Sequence, residues 1–321
     1  MMSAESLRRE LAALLPGARA TSGDATLELM SSAIDPPRLI GAGVVEDPAM
    51  MAHRINGAPT GGFRAFLDGT QRSRTVSYVG NVPIVHGVVS AVARERRGRR
   101  LHTWSVPLVE ERIYAPRSLL GNAAWDALCT RFRDTLVDCT EQDDSAAHPY
   151  AMRDAAYHKV QADREVLEQR LAERWCSLEN DALFVDGSIS GSDTVAKSAC
   201  AVGVVKSHRT IYAAARDLSV VLGLRAGERT SVFRVTSQKR TTVASWYLRM
   251  RDPAEHDPMW GLVRAEIAYA DERLAERLAE RANEVSRWIL AETSPLALPD
   301  GRWDTMVYGI RDCEEYLRAL A

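Results

Sequence analysis

The sequence predicts an α/β protein with a mixed β-sheet flanked by helices. Segments rich in Val, Ile, Phe and Tyr come first, between residues 63 and 114, and strands then alternate with helices until two helices end the chain. Short separations between the early strands favour antiparallel neighbours, whereas strands joined through helices favour parallel ones. The expected sheet is therefore an antiparallel meander followed by parallel strands.

The predicted elements follow from periodicity and turn residues. A helix over 3–15 has Ser3 as its cap, leucines at helical spacing, and Pro16 and Gly17 as its end. Residues 1–62 form a helical and irregular extension, and 63–321 form the main domain, with a helical insertion at about 115–181. Strands are predicted at 64–68, 75–79, 84–93, 101–110, 183–186, 199–205, 231–236, 242–250 and 262–268. Helices are predicted within 112–181 and at 271–290 and 311–320.

Composition and charge narrow the functional classes. The 321 residues are 46% hydrophobic, enough for a sizeable core, and the net charge of −2 gives no overall attraction to nucleic acid. A local basic run at 94–100 lies at an expected hairpin tip, where it either follows a DNA backbone or is a solvated loop. The five cysteines are odd in number and form no C-x-x-C pair, which argues against a disulfide framework or zinc site. With no leader-like or membrane-spanning run, we expect a soluble cytoplasmic protein with no membrane partner.

Two short motifs carry the chemistry. Asp68-Gly69-Thr70 and Asp186-Gly187-Ser188 each follow an apolar run, so each is expected to place a carboxylate at a turn that ends a buried strand. If the two strands lie side by side, the carboxylates converge on a site for Mg²⁺ or Mn²⁺, which prefer hard oxygen ligands. Two such ions, about 4 Å apart, activate water and stabilise the leaving oxygen in phosphodiester cleavage. The alternative is a pair of structural turns, because Asp-Gly is a strong hairpin signal.

The preceding helix offers a third acidic ligand. Glu168 shares the apolar stripe of Leu171 and Trp175, whereas Glu165 lies toward the flank, so Glu168 is the preferred candidate. The alternative for Glu168 is a solvated glutamate in a charged helix.

Later strands supply further polar candidates. Lys206 ends an apolar strand, where its ammonium group can bind the scissile phosphate, and His208 either assists or is only a polar cap. Tyr247 can stack on a base or bind a phosphate. Arg264 and Glu266 alternate on one strand face, either as an ion pair or as part of the site.

Taken in order, these segments resemble the NurA family of DNA-end-processing nucleases. The matching segments are Asp68-Gly69-Thr70, a helical glutamate, Phe184-Val185-Asp186-Gly187-Ser188, Gly203-Val204-Val205-Lys206, Tyr247-Leu248-Arg249 and Val263-Arg264-Ala265-Glu266 ahead of a long C-terminal helix. The resemblance runs from about residue 63 to the C-terminus, and it depends on the ordered set more than on any single motif.

The resemblance implies a ribonuclease H-like fold, a homodimer, and Mn²⁺-dependent (or Mg²⁺-dependent) exonuclease and single-strand endonuclease activity on DNA. It also implies a partner, the hexameric ATPase HerA, which drives duplex DNA toward the nuclease in end resection; related bacterial pairs act in defence against phage. By this resemblance Asp68, Glu168 (or Glu165) and Asp186 hold metal, with Lys206 and Tyr247 nearby.

The chain departs from the family at its end. Family members carry a histidine on the last helix, and the corresponding segment 306–314 has none. Either Asp312 or Glu314 substitutes as a ligand, or the site is altered. The alternative function is therefore a catalytically weak or inactive NurA-like module that caps and regulates the ATPase ring. A phosphatase or sugar-kinase-like enzyme is less favoured, because no P-loop is present.

Overall fold

The computed structural model describes residues 3–20, 37–140, 148–238, 240–253, 256–269, 275–293 and 307–320. The helices are α1 (Ala4–Leu14), α2 (Arg117–Leu120), α3 (Asn122–Phe132), α4 (Pro149–Leu178), α5 (Asp193–Ala196), α6 (Arg216–Gly223), α7 (Ala275–Glu292) and α8 (Tyr308–Leu320). The strands are β1 (Ala18–Ala20), β2 (Arg38–Leu39), β3 (Gly43–Val44), β4 (Ala52–Arg54), β5 (Ala65–Val79), β6 (Val82–Arg97), β7 (Arg100–Thr103), β8 (Leu108–Ala115), β9 (Leu136–Asp138), β10 (Leu183–Asp186), β11 (Ala201–Val205), β12 (Thr210–Ile211), β13 (Glu228–Thr230), β14 (Phe233–Ser237), β15 (Arg240–Arg249) and β16 (Leu262–Ala268). This confirms the predicted mixed α/β class with a large mixed sheet.

The chain divides into two compact units built from alternating segments. The first comprises Met1–Asp35, Gly69–Ala91 and Pro107–Leu167, and the second Pro36–Asp68, Val92–Val106 and Glu168–Ala321. Strands β5 and β6 and helix α4 each contribute residues to both units. Over the described ranges, no helix is both long and apolar enough to cross a lipid bilayer.

The first unit combines short helices with antiparallel strands. Strand β6 pairs antiparallel with β8, β8 pairs parallel with β9, and β1 pairs with the last residues of β5. Helix α1 is capped as expected, since the Ser3 side chain accepts a hydrogen bond from the Ser6 amide. Its leucines Leu7 and Leu11 are fully buried in a cluster with Trp125 and Leu128 of α3. The predicted N-terminal helix is confirmed.

The second unit holds the two aspartate motifs. Its strand order is β3, β14, β15, β16, β11, β10 and the start of β5. Strand β10 runs parallel to both β5 and β11, whereas β11, β16, β15 and β14 are successively antiparallel. The core beside this sheet contains Phe66, Phe184 and Trp246 from the strands and the apolar faces of α7 and α8.

Several strand and helix predictions are confirmed. Strands β10 and β16 have the predicted bounds, and β11, β14 and β15 differ from theirs by a few residues. The turn at Gly80 and Asn81 separates β5 from β6, as expected. Helices α7 and α8 also correspond to predictions, although residues 271–274 of the first lie outside the described residues.

Several predictions are wrong. The segment 101–110 is not one strand, because β7 ends at Thr103 and β8 begins at Leu108, just after Pro107, which has no amide to donate. The strands after the meander are not all parallel, since β11, β16, β15 and β14 pair antiparallel in that order.

The segments 64–68 and 75–79 are not separate strands, because β5 continues from Ala65 to Val79 and Gly69 is inside it rather than at a turn. Backbone pairing with β6 extends the strand through a polar stretch that has no strand signal of its own. Residues 112–181 are also not helical throughout, since β8 reaches Ala115 and β9 covers Leu136–Asp138. Strand β9 is too short for a periodic pattern, and its pairing with β8 is a tertiary contact.

Candidate carboxylate site

Asp68 and Asp186 are placed by two neighbouring parallel strands. The register of β10 on β5 is Leu183 with Ala65, Phe184 with Phe66, and Val185 with Leu67. The next step on both strands is Asp186 and Asp68. Adjacent strands lie roughly 4.8 Å apart, so the two aspartate backbones are close neighbours.

Both aspartates project from the same face of the sheet. The rings of Phe66 and Phe184, two residues earlier on each strand, are in contact with centroids 5.8 Å apart. Because side chains alternate with a period of two, Asp68 and Asp186 share that face. Asp68 is buried, with 6% of its surface exposed, whereas Asp186 is half-buried. The structure therefore places two carboxylates, one of them buried, side by side.

Helix α8 packs on this face of the sheet and contributes Cys313, for which the sequence suggested no role. Its thiol donates to the Phe66 carbonyl over 3.4 Å and is fully buried. Burial raises the pKa of the Cys313 thiol well above its usual value, and the negative charges of Asp68 and Asp186 add to the rise. The spacing of Ile310, Cys313 and Leu317 marks a buried helix face in the sequence, but not the strands against which that face docks.

Lys206 joins the pair from the next strand. It follows β11 directly, and its ammonium Nζ lies 2.8 Å from Asp186 Oδ2. Both side chains remain partly exposed, 26% for the lysine and 19% for the aspartate. An ammonium group next to a carboxylate at a strand end can neutralise charge and bind a phosphate oxygen.

The turn after Asp186 is fixed from the opposite face of the sheet. Gly187 has φ +132°, a conformation that side-chain-bearing residues rarely adopt. The fully buried carboxylate of Glu266 accepts hydrogen bonds from the Ser188 hydroxyl (2.8 Å) and the Ile189 amide (3.0 Å). Glu266 is also ion-paired with Arg264. These contacts hold the end of β10, and with it the backbone of Asp186.

Tyr247 does not join the aspartates. It pairs in register with Arg264 on β16, whose own partner on β11 is Val205, so it lies on the face opposite Lys206. Strand β15 is the third neighbour of β10, roughly 14 Å away. The hydroxyl accepts a hydrogen bond from the Tyr212 amide over 2.8 Å, and burial raises the pKa of Tyr247 to about 12.

The two candidate glutamates are on α4. Glu165 is partly exposed and accepts a hydrogen bond from the Gln161 amide group over 3.1 Å, whereas Glu168 is buried. Among the residues that the structure describes, three ligand atoms lie within 4.8 Å of one another at Glu46, Asp47 and His53, and not at the two aspartates with Glu168.

The remaining acidic and basic candidates have partners within the fold. Asp312 Oδ1 accepts from Arg94 over 2.6 Å, and Glu314 pairs with Arg318 one helical turn away. Arg96 of the basic run binds Glu292 of α7. Arg94 and Arg96 therefore stabilise the second unit. The exposed residues of the basic run lie at the hairpin tip, 97–100.

The cluster of Glu46, Asp47 and His53 gave no sequence signal. Glu46 forms a two-pronged ion pair with buried Arg229, and Asp47 Oδ2 accepts from the Ser231 hydroxyl (2.6 Å) and contacts His53 Nε2 (2.7 Å). Burial alone would raise the pKa of Asp47, but the bonds from Ser231 and His53 outweigh it and lower the pKa. These contacts connect residues 46–53 to β13 and to Ser231 just after it, and they engage both carboxylate oxygens of Glu46 and Oδ2 of Asp47.

Comparisons with known proteins do not assign this chain to a family. No model of a known protein family matches the chain. A search of curated proteins likewise finds no match. The paired aspartates and their lysine therefore remain the basis for assigning a function.

Proposed function

We propose that this protein is a metal-dependent DNA nuclease of the NurA type, with a ribonuclease H-like domain. The observation that carries the proposal is that Asp68 and Asp186 each follow the in-register pair Leu67 and Val185 on adjacent parallel strands, with Lys206 bound to Asp186. A sheet that brings two carboxylates and one ammonium group to one strand edge can bind a divalent cation and a phosphate together.

The donor set fits a hard divalent cation. Two carboxylates on neighbouring strands repel each other unless their charge is compensated, and the buried position of Asp68 increases that cost. A cation held between the two carboxylates would relieve this repulsion further than the ion pair of Lys206 with Asp186 does. Carboxylate oxygens favour Mn²⁺ or Mg²⁺ over softer metals. Glu168 is the nearest candidate in sequence for a third ligand, and it would complete the set only by moving toward the aspartates.

The proposed roles of the side chains follow from their positions. Asp68 and Asp186 would hold the cation, which supplies a polarised water and charge stabilisation in phosphodiester hydrolysis. Lys206 would bind a non-bridging phosphate oxygen and hold the Asp186 carboxylate in position through their ion pair. Glu266 would position Asp186 through the turn at Ser188. Tyr247 has no part in this proposal, because it lies on the other face.

Cleavage of DNA by matched variants tests the proposal. The purified protein is incubated with labelled linear and single-stranded DNA and Mn²⁺, and Asp68→Asn and Asp186→Asn are expected to reduce cleavage below detection. Asp181→Asn is the control, because Asp181 is an exposed aspartate close to the same strand. Undiminished cleavage by both site variants would contradict the proposed nuclease function.

Lys206 allows a second comparison. Lys206→Met should lower the rate about 100-fold, the usual effect of removing one group that stabilises transition-state charge. Lys197→Met should leave the rate unchanged, since Lys197 is exposed and forms an ion pair with exposed Asp193. Equal rates for the two variants would remove Lys206 from the proposed mechanism.

Metal binding distinguishes the nuclease from an inactive module that caps an ATPase ring. Mn²⁺ at 100 times its dissociation constant should add about 2.7 kcal/mol to the free energy of unfolding of a competent site, and less in Asp186→Asn. Absence of both stabilisation and cleavage would favour the ring-capping alternative. A HerA-type hexameric ATPase and a second copy of this chain are the proposed partners, and co-purification and light scattering test them.

A further inference from the structure

Two cysteines far apart in sequence meet in the second unit. Cys176 lies near the end of α4, and Cys200 lies immediately before β11. Their sulfur atoms are 3.6 Å apart, within hydrogen-bonding distance. Cys176 is half-buried and Cys200 is buried with 7% exposed, so a small molecule reaches the pair more readily than a protein does.

We propose that Cys176 and Cys200 are a redox-active dithiol that closes to a reversible disulfide when the protein meets hydrogen peroxide. A disulfide has an S–S length of about 2.05 Å, so the two sulfurs must approach each other by roughly 1.5 Å. Small rotations of the two side chains about their χ1 angles cover such a distance. This inference is independent of the proposed nuclease function.

The electrostatics of the pair identify the nucleophile. The hydrogen bond between the two thiols lowers the pKa of Cys200 to about 6 against the opposing effect of burial, and the Ser198 hydroxyl and the charge of Arg281 add to the lowering. The same hydrogen bond, with burial, raises the pKa of Cys176. These opposite directions make Cys200 the thiol of the pair that ionises more readily. A thiolate is the reactive form toward peroxide.

The reaction balances with hydrogen peroxide as the oxidant. The Cys200 thiolate attacks one peroxide oxygen, the O–O bond breaks, and the leaving hydroxide takes up a proton to become water. Cys200 is then a sulfenic acid, which the Cys176 sulfur attacks as its own proton is lost. The S–O bond breaks, hydroxide leaves as a second water, and the S–S bond forms. Two thiols and one peroxide give one disulfide and two waters, and a dithiol such as dithiothreitol reverses the oxidation.

The disulfide would link helix α4 covalently to the residue that precedes β11. The Cys200 carbonyl accepts the amide of Leu183, the first residue of β10. A covalent link from α4 to this point closes a loop of two dozen residues and restricts the unfolded chain, so the oxidised protein should melt at a higher temperature.

Peptide mapping of the full-length protein tests the proposal. Trypsin cuts after Arg174, Lys197 and Lys206, which puts Cys176 on peptide 175–197 and Cys200 on peptide 198–206. After peroxide treatment and blocking of free thiols, these two peptides should appear joined, two hydrogens lighter than their sum, and should separate with dithiothreitol.

Variants identify the order of events. Cys176→Ser should lose the joined peptides and accumulate a sulfenic acid at Cys200 that dimedone traps, whereas Cys129→Ser should keep the joined peptides. Peroxide oxidation of the wild-type protein also tests the proposal without any variant. If Cys129 is oxidised at lower peroxide concentrations than Cys176 and Cys200, or if the two peptides remain separately alkylated, the proposal is overturned.

Discussion

Replacing Gly309 with alanine should destabilise the second unit, although alanine is the better helix former. Gly309 is the second residue of α8, and a methyl group there would meet three ring atoms of Phe66 at 2.3–2.4 Å. Carbon atoms in contact are normally about 3.5 Å apart, so the ring or the helix must move by about 1 Å. The ring has little freedom, because Phe63 and Phe184 contact it and the guanidinium group of Arg96 lies 4.9 Å from its centre.

The magnitude follows from two opposing effects. Gly to Ala inside a helix stabilises by about 1 kcal/mol. Overpacking a well-filled core costs about 1–3 kcal/mol, and the high end applies because three ring carbons are involved. The expected net loss is therefore about 2 kcal/mol in the free energy of unfolding.

Gly223 provides a matched control in the same unit. It is the last residue of α6 and is exposed, with no atom within 4 Å of the position of an added methyl group. Gly223→Ala should therefore raise the free energy of unfolding by about 0.4–1 kcal/mol through the unfolded chain. Urea unfolding followed by circular dichroism measures both variants. If Gly309→Ala is as stable as Gly223→Ala, the packing of α8 on Phe66 described above is incorrect.

Two further predictions concern buried charge. Burial alone would raise the pKa of Glu95, but hydrogen bonds from Arg97 and Arg64 outweigh it and hold the pKa below the usual 4.5. The stabilisation by Glu95 is therefore complete above pH 4.5 and is lost as the pH falls through the lowered pKa of Glu95. The difference in free energy of unfolding between wild type and Glu95→Gln, measured by urea titration, should be constant near neutrality and shrink below about pH 4. A difference that does not change with pH would contradict this prediction. Glu46→Ala leaves Arg229, 1% exposed, without its ion-pair partner and should cost about 3–5 kcal/mol in the same assay, and a loss below 1 kcal/mol would show that the pair is dispensable.

Local sequence patterns predicted the strands that carry the candidate site. A continuous apolar run marks β10, as expected for a strand buried on both faces, whereas apolar residues alternating with Arg264 and Glu266 mark β16. Turn residues around Gly187 likewise predicted that β10 ends at Asp186. The equivalent prediction for Asp68 failed, since Asp-Gly marks a turn only where no neighbouring strand continues the backbone pairing, and β6 does so here.

The pairing of distant strands was not readable from the residues alone. Tyr247 follows the same alternating pattern as other strand residues, and only the order β15, β16, β11, β10 separates it from the aspartates. Cys313 and Cys200 likewise acquire their chemistry from neighbours that are more than twenty residues away.

The amino-acid sequence by itself determined that this chain is a mixed α/β protein and that aspartates occur where its apolar strands give way to small polar residues, because propensity and periodicity act over a few residues. Tertiary structure alone decided that the strands ahead of Asp68 and Asp186 pair side by side, that Lys206 contacts Asp186, and that Cys176 contacts Cys200. Register and facing depend on which strands pair, and that choice is made by the burial of side chains from the whole unit rather than by any local segment.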